Sequence, residues 1–401
     1  MAIRPNPLFA DRLVQTTPQV QSVAGDPLIT DGLPVLKIAL EIGARKRPET
    51  PEGQARAYKD IEEELDLLVS TGRLIPEQKT AIYVYEVMHK TYRQTGIWAL
   101  TNLGDYIDGT IKTHELTFSD SVRRIKNYRR NTRLEGSPIL MTYAPSVTIN
   151  RIIAETIAKN NRTSLSNHEA THILWRIEDE HTINELITAF AEVKAVYLAD
   201  GHHRLESSSL LAVEQRSKGE PAFDTIGSLY MASDQLRIQE FNRVVFPSEP
   251  VDKKELLKRI YEHFEIKGQN APVQPRYCHT IGMYVAGEWF ELKPYHIPGH
   301  SVSAAIDAAI LQEQILSPLF GITDPVNDKR LKCIGGAGAM AEIMAITDEN
   351  PEAIAFTLCP LSCDQLIAVA DAGEILPPKS TWIDPKIPYG LLLFQHQMHW
   401  K

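Results

Sequence analysis

Val193-Lys194-Ala195-Val196-Tyr197-Leu198-Ala199-Asp200-Gly201-His202-His203-Arg204 is the stretch that decides the fold class. The run from Val193 to Ala199 is almost continuously apolar, as a strand buried on both faces must be. Asp200-Gly201-His202-His203 follows at once, and the segment from Arg204 to Gln215 is compatible with a helix. A buried strand, a tight turn and a helix in succession mark an α/β chain. At such a junction the first N–H groups of the helix, helped by its dipole, can bind phosphate oxygens. Gly201 lets backbone approach closely, and Arg204 offers a forked pair of donors. His202 and His203 can donate or relay protons, while Asp200 can orient a hydroxyl or hold a metal. The plainer alternative is a strand cap with surface histidines, but two His, an Arg and an Asp around one Gly exceed what a cap needs.

Strand and helix patterns alternate outward from this junction. Upstream, Ala57 to Gly72 carries apolar residues at helical spacing, and the polar stretch Arg45 to Gln54 before it reads as a loop. Ala81–Val87, Gly96–Leu100, Ser137–Tyr143 and His172–Ile177 are strand candidates. Val147–Lys159 and Thr182–Phe190 are helix candidates. Downstream, Leu229–Met231, Val244–Phe246, Gly282–Val285 and Ala355–Leu358 read as strands, and Leu256–Phe264, Ala304–Leu316 and Asp364–Ala372 as helices. The expected architecture is a mixed-sheet α/β protein in three portions: 1–145, a phosphate-binding core over 146–250, and 251–401 closing a cleft.

Composition limits what such a site can meet. A chain of 401 residues, 43% hydrophobic and 23% charged, can bury a large core and divide into two or three units. Its net charge of −9 opposes a broad grip on duplex DNA or an anionic membrane, so neither nucleic acid nor membrane is an expected partner. The opening residues hold no apolar signal core, and no stretch approaches the ~20 apolar residues of a membrane helix. The expected location is the cytoplasm. The sequence carries no signature of an oligomeric state.

Other motifs are weaker. The basic run Val122 to Arg133 reads as a solvated helix face, with a local anion-attracting rim as the functional alternative. His168-Glu169-Ala170-Thr171-His172 satisfies a zinc-protease pattern, but that pattern requires a helix and this one runs directly into strand-like residues. Cys278, Cys333, Cys359 and Cys363 are too scattered for a disulfide framework and lack partners with zinc-like spacing. Neither zinc nor haem is expected. Gly335-Gly336-Ala337-Gly338 lacks the Lys-Ser/Thr ending of a P-loop and reads as a close-packed turn. Lys379, Ser380 and Thr381, stiffened by Pro377-Pro378, supply a cation and two hydroxyls that can close over an anion.

Several segments together carry a resemblance. They include Lys112-Thr113-His114-Glu115-Leu116-Thr117, Leu140-Met141-Thr142-Tyr143, His172-Ile173-Leu174-Trp175, Ala199 to Arg204, Phe241-Asn242-Arg243-Val244-Val245 and Pro377 to Thr381. On these the chain resembles a large bacterial family of unknown function, of roughly this length, whose central part is related to the ParB/sulfiredoxin-like nucleotide-binding fold. The Asp-Gly-His-His-Arg turn is also similar to the corresponding turn of ADP- and ATP-dependent free-serine kinases. The resemblance implies a ParB/sulfiredoxin-like central portion and a nucleotide phosphate at Gly201 to Arg204. It adds His114, Asn242 and Arg243 as cleft residues. After Thr117 the chain departs from the family: Phe118-Ser119-Asp120-Ser121 and Arg123-Arg124 stand where a cation and a carboxylate are usual.

The expected function is phosphoryl transfer from a nucleoside di- or triphosphate (ADP, ATP or CTP), with Mg2+, to a small hydroxylated metabolite such as free serine. Asp200 and Glu115 are the candidate base or metal ligand. A non-catalytic nucleotide-binding switch and a phosphatase acting on a phosphorylated metabolite are the alternatives that the same turn leaves open.

Overall fold

The structure is a computed structural model that describes residues 2–5, 50–159, 161–166 and 170–396. The opening segment 6–49, positions 168 and 169 of the His-Glu-x-x-His motif, and 397–401 lie outside the described residues. The fold is mixed α/β, as the alternating pattern predicts. The chain divides into two units: 1–112 with 117–236 and 385–401, and 113–116 with 237–384.

An eight-stranded sheet forms the centre of the first unit. Its spatial order is Ile111–Lys112, Val196–Asp200, Ile139–Tyr143, Thr225–Ala232, Arg93–Asn102, Ile82–His89, Ala170–Ile177 and Arg162–Ser166. Val196–Asp200 runs antiparallel to Ile139–Tyr143 and parallel to Ile111–Lys112, which makes the sheet mixed. Ile139–Tyr143 and Val196–Asp200 read as unbroken apolar runs because both faces of this part of the sheet are buried. The helices Val147–Ile157 and Glu180–Ala191 send Ile149, Ile152 and Leu186 into one cluster with Val84, Ile97 and Trp175. The helix His202–Ser217 packs Leu205 and Ala212 against Ile139, Met141, Leu198 and Ile226.

A smaller four-stranded sheet joins Leu74–Pro76, Ala2–Pro5, Leu393–Gln395 and Leu134–Glu135. The helix Pro51–Ser70 lays Ile61, Leu65 and Leu68 into the same cluster as Ile3 and Leu393. It starts earlier than its apolar periodicity suggests, since the Thr50 side chain accepts from Gly53 N–H and Pro51 stands at its first turn. The end of the expected loop is therefore helical.

The basic run forms the helix Ser119–Thr132 and is not the solvated face expected of it. Lys126 and Arg130 both pair with Glu214 of the helix His202–Ser217. Arg129 is buried, with its Nη1 2.8 Å from Glu135 and further donors engaged by Ser208 Oγ and the Thr225 carbonyl. Burial raises the Glu135 carboxyl, but Arg129, the His396 hydrogen bond and the Gly227 N–H outweigh it and hold the group below its ordinary range. Three of the run's six cations, Lys126, Arg129 and Arg130, thus pack two helices and a strand end together.

The second unit is built on a six-stranded antiparallel sheet ordered Phe264–Gln269, Glu288–Pro294, Ile281–Val285, Ile354–Leu358, Phe241–Val245 and Leu331–Gly335. Gly335 and Gly336 close-pack on Trp382, whose ring a Cβ at either position would meet within 2.9 Å. The helix expected over Leu256–Phe264 stops at Tyr261, and Phe264 opens an edge strand. The segment expected as one helix from Ala304 to Leu316 is instead a 3₁₀ turn, a short α-helix and a π-turn.

His172, the described histidine of the His-Glu-x-x-His pattern, lies in the strand Ala170–Ile177 with Nδ1 2.8 Å from the Tyr85 hydroxyl. Burial pushes its imidazole down to about 4. Since the unfolded chain takes the proton first, the stability this group contributes is complete above about pH 6.5 and is lost as pH falls toward the folded value. The urea midpoint of the wild type should therefore fall more steeply between pH 6.5 and 4 than that of His172→Gln, and parallel slopes would show that His172 is not the cause. Glu135→Ala leaves Arg129 buried without its carboxylate and should cost about 3–5 kcal/mol of unfolding free energy in urea titration.

Candidate functional site

The turn after Val196–Asp200 is made by one residue. Pairing with Ile139–Tyr143 shifts register between Leu198 and Asp200, so that Asp200 stands opposite Leu140. Gly201 then adopts φ 105° and ψ 24°, a left-handed conformation that side chains resist, and caps the helix His202–Ser217. Its carbonyl accepts from the N–H groups of Arg204 and Leu205 at 2.9 and 3.0 Å. A Cβ at this position would lie 2.8 Å from Ile139 Cγ2 and 3.0 Å from Arg204 Nη2. Glycine is thus required by both conformation and space.

Charges gather around this turn. Arg204 Nη2 donates to Asp200 Oδ2 at 2.9 Å, and Lys386 Nζ is 4.0 Å from Oδ1. Burial raises the Asp200 carboxyl, but Lys386, Arg204 and His202 outweigh it and bring it down to about 2. Asp200 is therefore an ionised carboxylate across the physiological range and a weak proton acceptor. Its side chain is 45% exposed and that of Arg204 29%, so both can be reached by a ligand.

His202 is buried and His203 is half-buried. His203 Nε2 accepts the Phe118 backbone N–H at 3.0 Å, and the two rings stack with centroids 5.4 Å apart. With Nε2 accepting, the neutral ring carries its proton on Nδ1. Phe118 belongs to the segment where the chain departs from the resemblance, so the departure bears directly on the turn.

Residues 32–313 match the sequence model of the family described as protein of unknown function, DUF1015. The chain belongs to that family. No curated protein matches it. Among solved structures, the chain is similar to a free serine kinase mutant in complex with AMP, at 12% identity over 73% of this chain and 92% of that one, with a TM-score of 0.38. It is similar to SbnI with a C-terminal truncation from Staphylococcus aureus at 14% identity, over 72% and 82%, with a TM-score of 0.37. A conserved hypothetical protein from Pyrococcus furiosus is similar at 11% identity, over 77% and 93%, with a TM-score of 0.35.

The remaining candidates fall in the second unit of this DUF1015 chain. His114 is buried, and its carbonyl accepts from Leu376 N–H at 2.8 Å; Glu115 beside it is half-buried. Asn242 Oδ1 accepts from Leu358 N–H at 2.9 Å. Arg243 donates to the Pro378 and Lys379 carbonyls at 3.1 and 3.0 Å, so both residues shape the sheet and its neighbouring turn. Lys379, at φ 60°, is exposed with Nζ 5.9 Å from the Phe241 ring centre. Ser380 Oγ bonds the Pro377 carbonyl at 2.6 Å, and Thr381 is half-buried. Among the described residues no group of three or more His, Cys, Asp or Glu side chains is arranged to hold a metal, and the four cysteines form no disulfide.

Sequence reading missed Lys386 and Phe118 at the turn. No local pattern marks them, since each arrives from a distant segment. Gly201→Ala should lower stability by about 1–3 kcal/mol in urea unfolding, the cost of a side chain held in a left-handed, crowded position.

Proposed function

We propose that the Asp200–Arg204 turn, in a ParB/sulfiredoxin-like core, binds the phosphates of a nucleotide (ADP, ATP or CTP). From there a phosphoryl group is transferred to a small hydroxylated metabolite, free serine among them, in the cytoplasm. The observation that carries this reading is the convergence on one left-handed glycine of a helix start, Arg204, Lys386 and the His203 ring. A helix start and two cations favour a phosphate, and phosphoryl transfer asks a protein mainly for positioning and charge neutralisation. The local similarity of the Asp-Gly-His-His-Arg turn to that of free-serine kinases supports the same reading.

Asp200 fits Mg2+ in that it is half-exposed and ionised, and Mg2+ takes one or two carboxylates together with substrate phosphates. Bound there, Mg2+ would neutralise charge on the phosphate oxygens. With its carboxyl brought down to about 2, Asp200 suits that role better than the role of general base.

Phe118 seated on His203 favours a second reading. At the segment where the family's usual cation and carboxylate are absent, an aromatic ring covers one of the turn's donors. That arrangement suits a nucleotide-binding switch without transfer.

One experiment separates the two. His203→Ala and Arg204→Ala should each weaken nucleotide binding roughly 10-fold or more, in line with loss of a charge-assisted hydrogen bond, with unchanged circular dichroism. Incubation of the wild type with ATP, ADP or CTP, Mg2+ and hydroxy amino acids should yield a phosphorylated amino acid by mass spectrometry. Binding without product supports the switch, and wild-type affinity in both folded variants would refute the phosphate site.

A further inference from the structure

Two cysteines far apart in the sequence meet in one narrow pocket of the second unit, lined by Cys278, Asp307, Cys359, Gln365 and Ser380. Cys359 follows the strand Ile354–Leu358, whose ladder with Ile281–Val285 closes at the pair Ile281 and Leu358. Continued in register, that ladder would set Thr280 opposite Cys359 and leave Cys278 on the diagonal, roughly 7–8 Å away. A disulfide needs Cα atoms about 4.4–6.8 Å apart. The chain does not continue in that way. His279 adopts φ 63°, a left-handed conformation that side chains resist. It is held there by its N–H, which donates to Asp307 Oδ1 at 2.8 Å, and by Nε2–H, which donates to the Ala305 carbonyl at 3.1 Å. Beyond this turn the Cys278 thiol lies in hydrogen-bonding contact with that of Cys359. Gln365, on the helix Cys363–Asp371, donates to Cys278 Sγ at 3.5 Å.

The two thiols are not equivalent. Cys278 is exposed and Cys359 is half-buried. Burial, together with the neighbouring Cys278 and Asp307, pushes the Cys359 thiol up to about 12. Cys359 therefore stays protonated at neutral pH and is not the first to react, whereas Cys278 is open to a reagent from solvent. Core packing accounts for a half-buried thiol, but not for an exposed one delivered to it by a left-handed histidine.

We infer that Cys278 and Cys359 form a reversible disulfide by exchange with a small-molecule disulfide, which makes this pocket a thiol-modification site. The Cys278 thiolate attacks one sulfur of the reagent, whose S–S bond breaks. The first half leaves as a thiolate and takes up the proton that Cys278 lost. The Cys359 sulfur then attacks the Cys278 sulfur, and the second half leaves with the Cys359 proton. Two protein thiols are oxidised to a disulfide while one disulfide is reduced to two thiols. The new bond ties the end of Ile354–Leu358 to the turn at His279 and closes a loop of about 80 residues. In a reducing cytoplasm such a bond is transient. The inference is independent of the phosphate site.

The test exposes the reduced full chain to oxidised glutathione, alkylates the remaining thiols and maps a non-reducing digest by mass spectrometry. The wild type should lose two of its four alkylatable thiols. It should yield the Cys278 peptide joined to the Cys359 peptide, lighter by two hydrogens than the separate pair, and dithiothreitol should restore both. Cys359→Ser should stop at a glutathione carried on Cys278. Cys278→Ser should form no linked peptide and carry no glutathione on Cys359. The oxidised wild type, and neither oxidised variant, should unfold at a higher urea concentration than its reduced form. The inference falls if the wild type keeps four free thiols, holds glutathione on Cys278 without resolving it, or joins Cys278 to Cys333, to Cys363 or to a second copy. Circular dichroism checks both variants, and should either misfold, the wild-type map decides alone.

Discussion

The antiparallel pairing of Val196–Asp200 with Ile139–Tyr143 sets where the charges of the turn lie. Because the register shifts just before Asp200, the strand ends with its carboxylate opposite Leu140 and leaves a single residue to reverse into the helix. Only a residue without a Cβ can do so, since Ile139 and Arg204 occupy the space a side chain would need. The helix then starts against the sheet, and its apolar residues Leu205 and Ala212 lock it there with Leu198 and Met141. Arg204 follows from this geometry: three residues into the helix from Gly201, it folds back on the carboxylate that ends the strand.

A second constraint holds the far side of that helix. Glu214 draws Lys126 and Arg130, and Ser208 receives Arg129, so the basic helix Ser119–Thr132 is bound along the length of His202–Ser217. Phe118, immediately before the basic helix, is thereby delivered to His203. The charge density of Val122 to Arg133 is thus a packing device, and its consequence at the turn is positional. The buried Arg129–Glu135 pair at the end of the same helix adds little net stability compared with an apolar contact, but it penalises any arrangement that separates its partners.

Much of this was legible in the sequence. Helix Glu180–Ala191 was expected over Thr182–Phe190, and strand Val196–Asp200 over Val193–Ala199, because amphipathic and buried periodicities speak for themselves in such segments. The helix expected from Arg204 begins two residues earlier, at His202, because the left-handed Gly201 turns the chain into the helix in a single residue. What escaped was set by distant partners. The edge strand Phe264–Gln269 mixes buried Phe264 with exposed charges and continued a helical pattern from Leu256. The break within Ala304–Leu316 leaves the apolar spacing of a single helix intact. Arg129 looked like its basic neighbours because nothing local distinguishes a guanidinium that meets Glu135 and Ser208 from one that meets water. Lys386 joins the turn only through folding of the chain end.

The same charges decide what a phosphate must do on arrival under the proposed function. Arg204 is already engaged by Asp200, with Lys386 beside it, so a ligand enters by exchange and not into a vacant cradle. A terminal phosphate carries more charge than one carboxylate and offers more acceptor oxygens, which favours it for a guanidinium with a forked set of donors. A lone carboxylate ligand gains no such advantage over Asp200, so the exchange discriminates in favour of polyphosphates. It also leaves Asp200 without its Arg204 hydrogen bond. The carboxylate then stands beside the phosphate as an ionised oxygen donor, which is the arrangement in which a divalent cation is held by protein and substrate together.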